Sequence, residues 1–321
     1  MKFFDIRDYI GELRGINIVI GGRGIGKTYS VLDFLYENNE KFIYLRNTDV
    51  QLDEACGDFG NPFKRLNMDK GRNVYIAKEK KHALIIEDSK CLGYAAALST
   101  FENLRSVDLS DVKWVIFEEF IEKKRLKFDQ FSSFVNFYET VNRNRELFGE
   151  EPLKCILLSN SQSLNNPILA GYDLIGTIEN MISNRQQKFK KENLTLLLPE
   201  SEISELKKET GNYKLIKGTK IYKEAIENKF ASDSFYGVKK RPISEYICLC
   251  SVDNIYIYKH KSSGNFYACD IQATNIMEYN SKDNRIIFLR NIGRYLMLAA
   301  ASGNLEYSSF TVKAKLSDIL K

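Results

Sequence analysis

The chain has 321 residues, 44% of them hydrophobic, and a formal net charge of +5. This length allows one large or two modest domains, and the composition is that of an ordinary soluble globular protein. The sequence has no run of 18 apolar residues and no signal-peptide pattern, so we expect a cytosolic protein without a membrane partner. Its six cysteines show no C-x-x-C spacing, which argues against a zinc site.

The positive charge is concentrated toward the C-terminus. From Ser201 onward, 19 Lys and Arg residues stand against 13 Asp and Glu, whereas the first 200 residues have 28 against 29. A basic excess of this kind favours an anionic partner such as nucleic acid, although a basic but merely soluble domain would look the same. The candidate contacts are Lys207, Lys208, Lys239, Lys240 and Arg241.

Hydrophobic patterns predict alternating strands and helices in the first 199 residues. In chain order we expect a short helix within 1–15, strands at 16–20 and 42–45, a helical segment over 50–73, a hairpin over 74–86, an apolar run at 93–98, a strand at 114–117, a helix over 128–147 and a strand at 155–158. This alternation predicts an α/β domain with a mainly parallel sheet, to which the hairpin adds antiparallel strands at one edge.

The remainder of the chain has a different composition. Residues 200–230 are charged, lysine-rich and helical in propensity, and we interpret them as a small linker domain. Residues 231–321 predict a compact α+β domain, with strands at 247–252, 255–259, 266–271 and 285–289 and a helix at 292–301. The expected organisation is therefore 1–199, 200–230 and 231–321.

A glycine-rich segment between the first strand and the next helix has the spacing G-x-x-x-x-G-K-[ST] of a phosphate-binding P-loop. It comprises Gly21, Gly22, Arg23, Gly24, Ile25, Gly26, Lys27 and Thr28. Glycines let several backbone N–H groups wrap a phosphate, Lys27 can reach the β- and γ-phosphates, and the Thr28 hydroxyl can ligate Mg²⁺. A chance match in a glycine-rich turn is the alternative, but the strand–loop–helix order argues against it.

Polar residues at the ends of later strands complete the predicted site. Glu118 and Glu119 follow an apolar strand, where one carboxylate can order Mg²⁺ and the other can act as general base; we assign these roles to Glu118 and Glu119 respectively. Asn160 follows the next strand and is a candidate sensor of the γ-phosphate. Each feature alone has a simpler reading, as a solvated acidic pair or an ordinary turn.

The run Arg143-Asn144-Arg145 lies near the end of the predicted helix over 128–147. A guanidinium suits a transferring phosphoryl group, and a neighbouring subunit often supplies it. A solvated helix face is the alternative interpretation.

Taken together, these motifs resemble the DNA-packaging (encapsidation) ATPases of phi29-like tailed phages, in the additional-strand, catalytic-glutamate division of P-loop ATPases. The residues that carry the resemblance are 19–27, 42–46, 115–121, 143–146 and 155–160. The resemblance implies a homopentameric ring motor that uses ATP and Mg²⁺ to drive double-stranded DNA into a procapsid. It also implies an arginine finger at Arg143 acting on the neighbouring subunit and a basic lid residue at Arg105.

The resemblance further implies a C-terminal domain related to RNase H-like nucleases but inactive, which contacts the portal and a structural packaging RNA. Only Asp253 and Asp270 are acidic in its central hairpins, too few for a two-metal nuclease. Glu118 stands where the family has Asp, which leaves open which glutamate faces the metal. We expect the protein in the host cytoplasm, at the portal vertex during assembly and not in the mature virion.

Two other functions fit the same motifs. One is a nucleic-acid-stimulated ATPase of helicase or loader type, and the other is a nucleic-acid adaptor whose ATP site only switches assembly. Hydrolysis measured with and without double-stranded DNA separates the motor from the adaptor, and strand displacement identifies a helicase.

Overall fold

The computed structural model describes residues 2–79, 82–122, 126–161, 163–219, 222 and 237–321, except for the side chains of residues 79, 82, 105 and 106. Contacts divide the chain into two compact units. The first comprises Met1–Tyr172 and Asn180–Ser232, and the second comprises Asp173–Glu179 and Asp233–Lys321. The predicted division into three domains stays a prediction.

The first unit is built on a nine-stranded sheet in the order β3-β4-β5-β2-β6-β7-β1-β9-β8. Its strands are β1 (Ile16–Ile20), β2 (Lys41–Arg46), β3 (Tyr75–Glu79), β4 (His82–Glu87), β5 (Lys90–Ala97), β6 (Val112–Glu118), β7 (Lys154–Ser159), β8 (Lys188–Lys191) and β9 (Leu194–Leu197). The six adjacent strands β5, β2, β6, β7, β1 and β9 pair in parallel. By contrast, β3 and β4 at one edge and β8 at the other pair antiparallel. The mainly parallel sheet with an antiparallel hairpin at its edge is therefore confirmed.

The helices of the first unit are α1 (Lys27–Glu37), α2 (Asp49–Cys56), α3 (Lys64–Lys70), α4 (Gln130–Asn142), α5 (Pro167–Gly171), α7 (Glu202–Lys208) and α8 (Gly211–Leu215), with 3-10 helices at Ile6–Glu12, Leu98–Ser106 and Arg145–Phe148. A further helix, α6 (Ile175–Ser183), begins in the second unit and ends in the first. None of the helices in the described ranges is long and apolar enough to cross a membrane.

The central strands are mostly apolar, as is typical of parallel strands that are covered on both faces of a sheet. All five residues of β1 are buried, and Ile18, Val19 and Ile20 have no exposed surface. Each fully buried aliphatic side chain of this size stabilises the fold by roughly 1.5–3 kcal/mol. The strand that leads into the glycine loop is thus held rigidly in the interior of the sheet, between β7 and β9.

The predicted helix over 128–147 is wrong in its last five residues, 143–147. α4 ends at Asn142, and both Arg143 and Asn144 adopt the left-handed conformation, with φ of 47° and 60°. A separate 3-10 helix, Arg145–Phe148, follows. Arginine and asparagine break the helix here without the glycine that usually marks such an end.

The second unit contains a five-stranded sheet in the order β13-β10-β11-β12-β14. Its strands are β10 (Tyr246–Val252), β11 (Ile255–His260), β12 (Phe266–Cys269), β13 (Met277–Tyr279) and β14 (Leu305–Tyr307), and its helices include α9 (Arg285–Phe288), α10 (Arg294–Ala301) and α11 (Phe310–Leu320). The α+β class is confirmed, but the strand predicted at 285–289 is wrong because α9 begins there. A short apolar run does not by itself distinguish a strand from a helix. The RNase H-like relationship stays a prediction.

Candidate nucleotide site

Four polar segments lie together at the C-terminal ends of the sheet's parallel strands, because β2, β6, β7 and β1 are parallel neighbours. Arg46 ends β2, Glu118 ends β6, Asn160 follows β7, and the glycine loop follows β1. β7 lies between the loop strand and the strand of Glu118, as in the additional-strand arrangement. Residues more than 100 positions apart in sequence therefore face one site.

The glycine loop has the local geometry that its spacing predicts. Gly24 and Gly26 have φ of 66° and 96°, a region that L side chains rarely adopt. α1 begins directly afterwards at Lys27, with no side chain capping its first turn. The first N–H groups of a helix have no partner within the helix, so this loop presents donors suited to a phosphate.

Lys27 is buried in the loop, with only 8% of its surface exposed. Its Nζ donates to the carbonyl oxygens of Gly21 and Gly22, at 2.9 and 2.8 Å, and to Oδ1 of Asn160 at 3.1 Å. Burial lowers the pKa of Lys27 to about 8, and the charge of Glu118 opposes this decrease. The structure thus brings Lys27 and Asn160 together, as expected for an ammonium and a sensor that face the same phosphate.

Glu118 joins the glycine loop to the strand end across the site. Its Oε1 accepts from the Thr28 hydroxyl, and its Oε2 accepts from the Tyr44 hydroxyl. Burial and the neighbouring carboxylate raise the pKa of Tyr44 well above its usual value, so Tyr44 stays protonated and donates. Thr28 and Glu118 therefore form a pair of hard oxygen donors.

Arg46 bridges the two glutamates. Its guanidinium lies 3.3 Å from Oε2 of Glu118 and 3.0 Å from Oε2 of Glu119. Burial alone would lower the pKa of Arg46, but its interactions with the Tyr44 hydroxyl and with the negative charge of Glu118 raise it above its ordinary value. Its Nε is buried and has no hydrogen-bond partner among the described residues. Sequence reasoning assigned no role to Tyr44 or Arg46, although their i, i+2 spacing places both on one face of β2.

Glu119 differs from Glu118 in conformation and exposure. Glu119 lies just beyond β6 with φ of 51°, and its side chain is 51% exposed compared with 15% for Glu118. Water can therefore reach the Glu119 carboxylate, whereas that of Glu118 faces the loop. This difference agrees with separate roles for the two side chains.

A buried amide cluster, Asn47, Gln130 and Asn166, holds the segment after β6. Asn47 Nδ2 donates to the carbonyl of Glu119 at 3.0 Å, and Gln130 Nε2 donates to the carbonyl of Phe120 at 2.6 Å. The amides also bond one another, Gln130 to Asn47 at 2.7 Å and Asn166 to Gln130 at 2.8 Å. Buried networks that satisfy all their members are rigid, so the backbone at Glu119 is well positioned.

The two arginines of the 143–145 run have different environments. Arg145 is buried and donates to the carbonyls of Val112 and Leu109, at 2.7 and 3.1 Å, which is a structural role. Arg143 is 45% exposed and contacts Val107 and Asp108. Both contacts precede β6, so Arg143 lies near the opposite end of this strand from Glu118. Seven strand residues span roughly 20 Å.

Two further residues were predicted to be functional: Arg105 as a basic lid residue and Lys207 as a contact with nucleic acid. Arg105 belongs to the 3-10 helix Leu98–Ser106, but its side chain lies outside the described part of the chain. Lys207 donates to the carbonyl oxygen of Arg23 in the glycine loop at 2.5 Å, and its contact with nucleic acid stays a prediction.

The parallel sheet, the glycine loop that opens α1 and the strand-end carboxylates define a P-loop nucleoside-triphosphatase fold. Comparison with known families specifies this further: the chain belongs to the podovirus DNA encapsidation protein (Gp16) family, whose model matches residues 2–272.

Individual relatives agree with this family. The chain is 28% identical to the DNA packaging protein of Bacillus phage phi29 over 252 residues, covering 74% of this chain and 69% of that protein. It is 28% identical to the corresponding protein of Bacillus phage B103 over 236 residues, covering 71% and 68%. Its fold is similar to that of a chain in the bacteriophage phi29 genome packaging motor assembly, with a TM-score of 0.67, 22% identity and full coverage of both chains.

Proposed function

We propose that this protein is an ATP-driven translocase that packages double-stranded viral DNA into a preformed procapsid, working as a ring that we expect to be a pentamer. The observation that carries the proposal is the contact of Thr28 in the glycine loop with Glu118 at the end of β6, in a chain of the DNA encapsidation family. This contact joins the phosphate-binding and carboxylate motifs that an ATPase needs in one site.

The residues at the site fit ATP and Mg²⁺. Residues Gly21–Thr28 would hold the phosphates, with Lys27 on the β- and γ-phosphates. Thr28 and Glu118 would hold Mg²⁺, since hard oxygen donors suit this ion, which usually takes its other ligands from phosphate and water. When bound, Mg²⁺ neutralises phosphate charge that develops during transfer.

Glu119 would be the general base. Its carboxylate is half exposed and pairs with Arg46, while the Asn47 amide holds its backbone carbonyl. A carboxylate in hydrogen-bond reach of water can accept the proton that the attacking water loses. Asn160, which bonds Lys27, would sense the γ-phosphate, and Arg105 would act as the basic lid residue.

Arg143 would act as an arginine finger on the neighbouring subunit. Its contacts near the start of β6 keep it roughly 20 Å from the phosphate end of its own sheet, whereas its exposure leaves it accessible to another subunit. This geometry supports a role in trans and disfavours one in cis.

We predict that Arg143→Ala and Lys27→Ala subunits are each inactive alone and regain ATPase activity when mixed, because one supplies the P-loop and the other the finger. A finger supplied in trans contributes about 10³–10⁵ in rate. ATP hydrolysis by titrated mixtures measures this effect, with Lys113→Ala, an exposed substitution at the start of β6, as the control. A mixture that stays inactive although both variants fold and assemble would refute the role in trans.

The other proposed partners are the portal of the procapsid and a structural packaging RNA, which the second unit would contact as an inactive nuclease-like domain. This places the protein in the host cytoplasm at the portal vertex during assembly. The candidate contacts with nucleic acid remain Lys207, Lys208, Lys239, Lys240 and Arg241.

Steady-state ATP hydrolysis with and without double-stranded DNA tests the proposed function. We expect DNA of any sequence to stimulate hydrolysis, and the stimulation to fall steeply between low and moderate salt because phosphate contacts release counterions. Stimulation that is absent, or that is insensitive to salt, would favour the adaptor over the motor.

A further inference from the structure

The strongest unassigned feature is the contact between α7 and the glycine loop. α7 begins after Ser201, whose hydroxyl accepts from the N–H of Ile203 at 3.2 Å, and Ile203 itself is buried. Near the end of this helix, Nζ of Lys207 donates to the carbonyl of Arg23 at 2.5 Å. A residue 184 positions away in sequence thus reaches the middle of the loop.

The contact is close. A Cβ placed on Gly24 would lie only 2.8 Å from Nζ of Lys207. Gly24 also has φ of 66°, which a side chain would disfavour independently. The lysine therefore packs directly against the peptide that joins Arg23 to Gly24.

The Arg23–Gly24 peptide bears on phosphate binding because it is planar, so the direction of its carbonyl sets the direction of its N–H. In a planar trans peptide, the carbonyl of residue 23 and the N–H of residue 24 point in opposite directions. An ammonium that holds the Arg23 carbonyl therefore fixes the direction of the Gly24 N–H, which is one of the donors that a P-loop turns toward phosphate.

A second set of contacts supports the same region from the N-terminus. The N–H of Phe4 donates to the carbonyl of Ile25 at 2.9 Å. The N–H of Lys2 donates to Oε2 of Glu202 at 2.9 Å, at the start of α7. Residues 2–4 thus tie α7 and the loop together, so that the two are held at more than one point.

We propose that Lys207 is a positioning residue of the nucleotide site: from α7 it holds the Arg23–Gly24 peptide in the orientation that binds phosphate. This inference rests on the proposed function, because it assumes that the glycine loop binds ATP. It predicts a role in nucleotide affinity and not in the chemical step, since the hydrogen bond of Lys207 goes to the loop backbone and, among the described residues, it forms no ion pair with Glu118 or Glu119.

The test is equilibrium binding of fluorescent ADP and of a non-hydrolysable ATP analogue, together with steady-state hydrolysis. Lys207→Met should raise Kd and KM about tenfold, as expected for loss of one charge-assisted hydrogen bond, with kcat nearly unchanged. Lys207→Arg should restore most of the affinity because it keeps the charge and donors. Lys207→Gln, an uncharged donor, should fall between Lys207→Met and the unmodified protein.

Lys214→Met is the matched control, because Lys214 lies on the next helix and pairs with Glu209 at 3.0 Å. If Lys207→Met and Lys207→Gln fold and bind nucleotide as tightly as Lys214→Met, the positioning role is wrong. A fall in kcat without a change in Kd would also contradict it. Failure of the proposed nucleotide site would look different, because neither the unmodified protein nor any Lys207 variant would then bind ATP. Failure of the translocase alone would leave the difference in affinity between the Lys207 and Lys214 variants intact but abolish the stimulation of hydrolysis by DNA.

Discussion

Replacing Lys27 with alanine is expected to abolish ATP binding at ordinary concentrations. The ammonium is buried and makes three hydrogen bonds, to two loop carbonyls and to Asn160. The ammonium forms a buried charged pair with the phosphates, and removing one partner of such a pair costs about 2–5 kcal/mol of binding free energy. Each 1.4 kcal/mol weakens binding tenfold. Equilibrium binding of fluorescent ATP to the folded variant measures this loss.

The exposed substitution Lys113→Ala, at the start of β6, should bind ATP like the unmodified protein. Near-normal affinity in Lys27→Ala would contradict the assignment of residues 21–28 as the nucleotide site, whatever the sequence motif indicates.

Glu119→Gln should bind ATP and Mg²⁺ normally but hydrolyse ATP about 10²–10⁴-fold more slowly, because it loses the general base and keeps the shape. Glu118→Gln should instead lower the affinity for Mg²⁺, so that hydrolysis needs a higher Mg²⁺ concentration, since Glu118 is the carboxylate that contacts Thr28. Single-turnover hydrolysis and Mg²⁺ titration of both variants separate these effects. If Glu118→Gln loses only the chemical step and Glu119→Gln loses Mg²⁺ affinity, the two roles are reversed.

Local sequence signals predicted the parts of the site that lie next to one another in the chain. The glycine spacing predicted the phosphate-binding loop between β1 and α1, because the motif is defined by backbone geometry. The apolar runs predicted β1, β6 and β7, because strands buried on both faces are apolar throughout. The polar residues at the ends of these strands then converge as a consequence of parallel pairing.

Residues that act across the fold gave no local signal. Arg46 bridges Glu118 and Glu119 only because β2 pairs with β6, and that pairing is decided by the whole sheet. Lys207 looked like one lysine among many in a charged segment, although it contacts the glycine loop. Similarly, no glycine marked the end of α4, so Arg143 was expected within a helix that in fact stops before it.

If the proposed function is right, ATP hydrolysis at this site drives DNA into a procapsid. To test this directly, the purified protein is incubated with empty procapsids, double-stranded DNA, Mg²⁺ and ATP. The amount of DNA that is protected from nuclease is then measured. We predict protected DNA with the unmodified protein, and none with Lys27→Ala or with a non-hydrolysable ATP analogue. If the unmodified protein hydrolyses ATP on assembled procapsids but the DNA stays unprotected, hydrolysis at this site does not drive packaging.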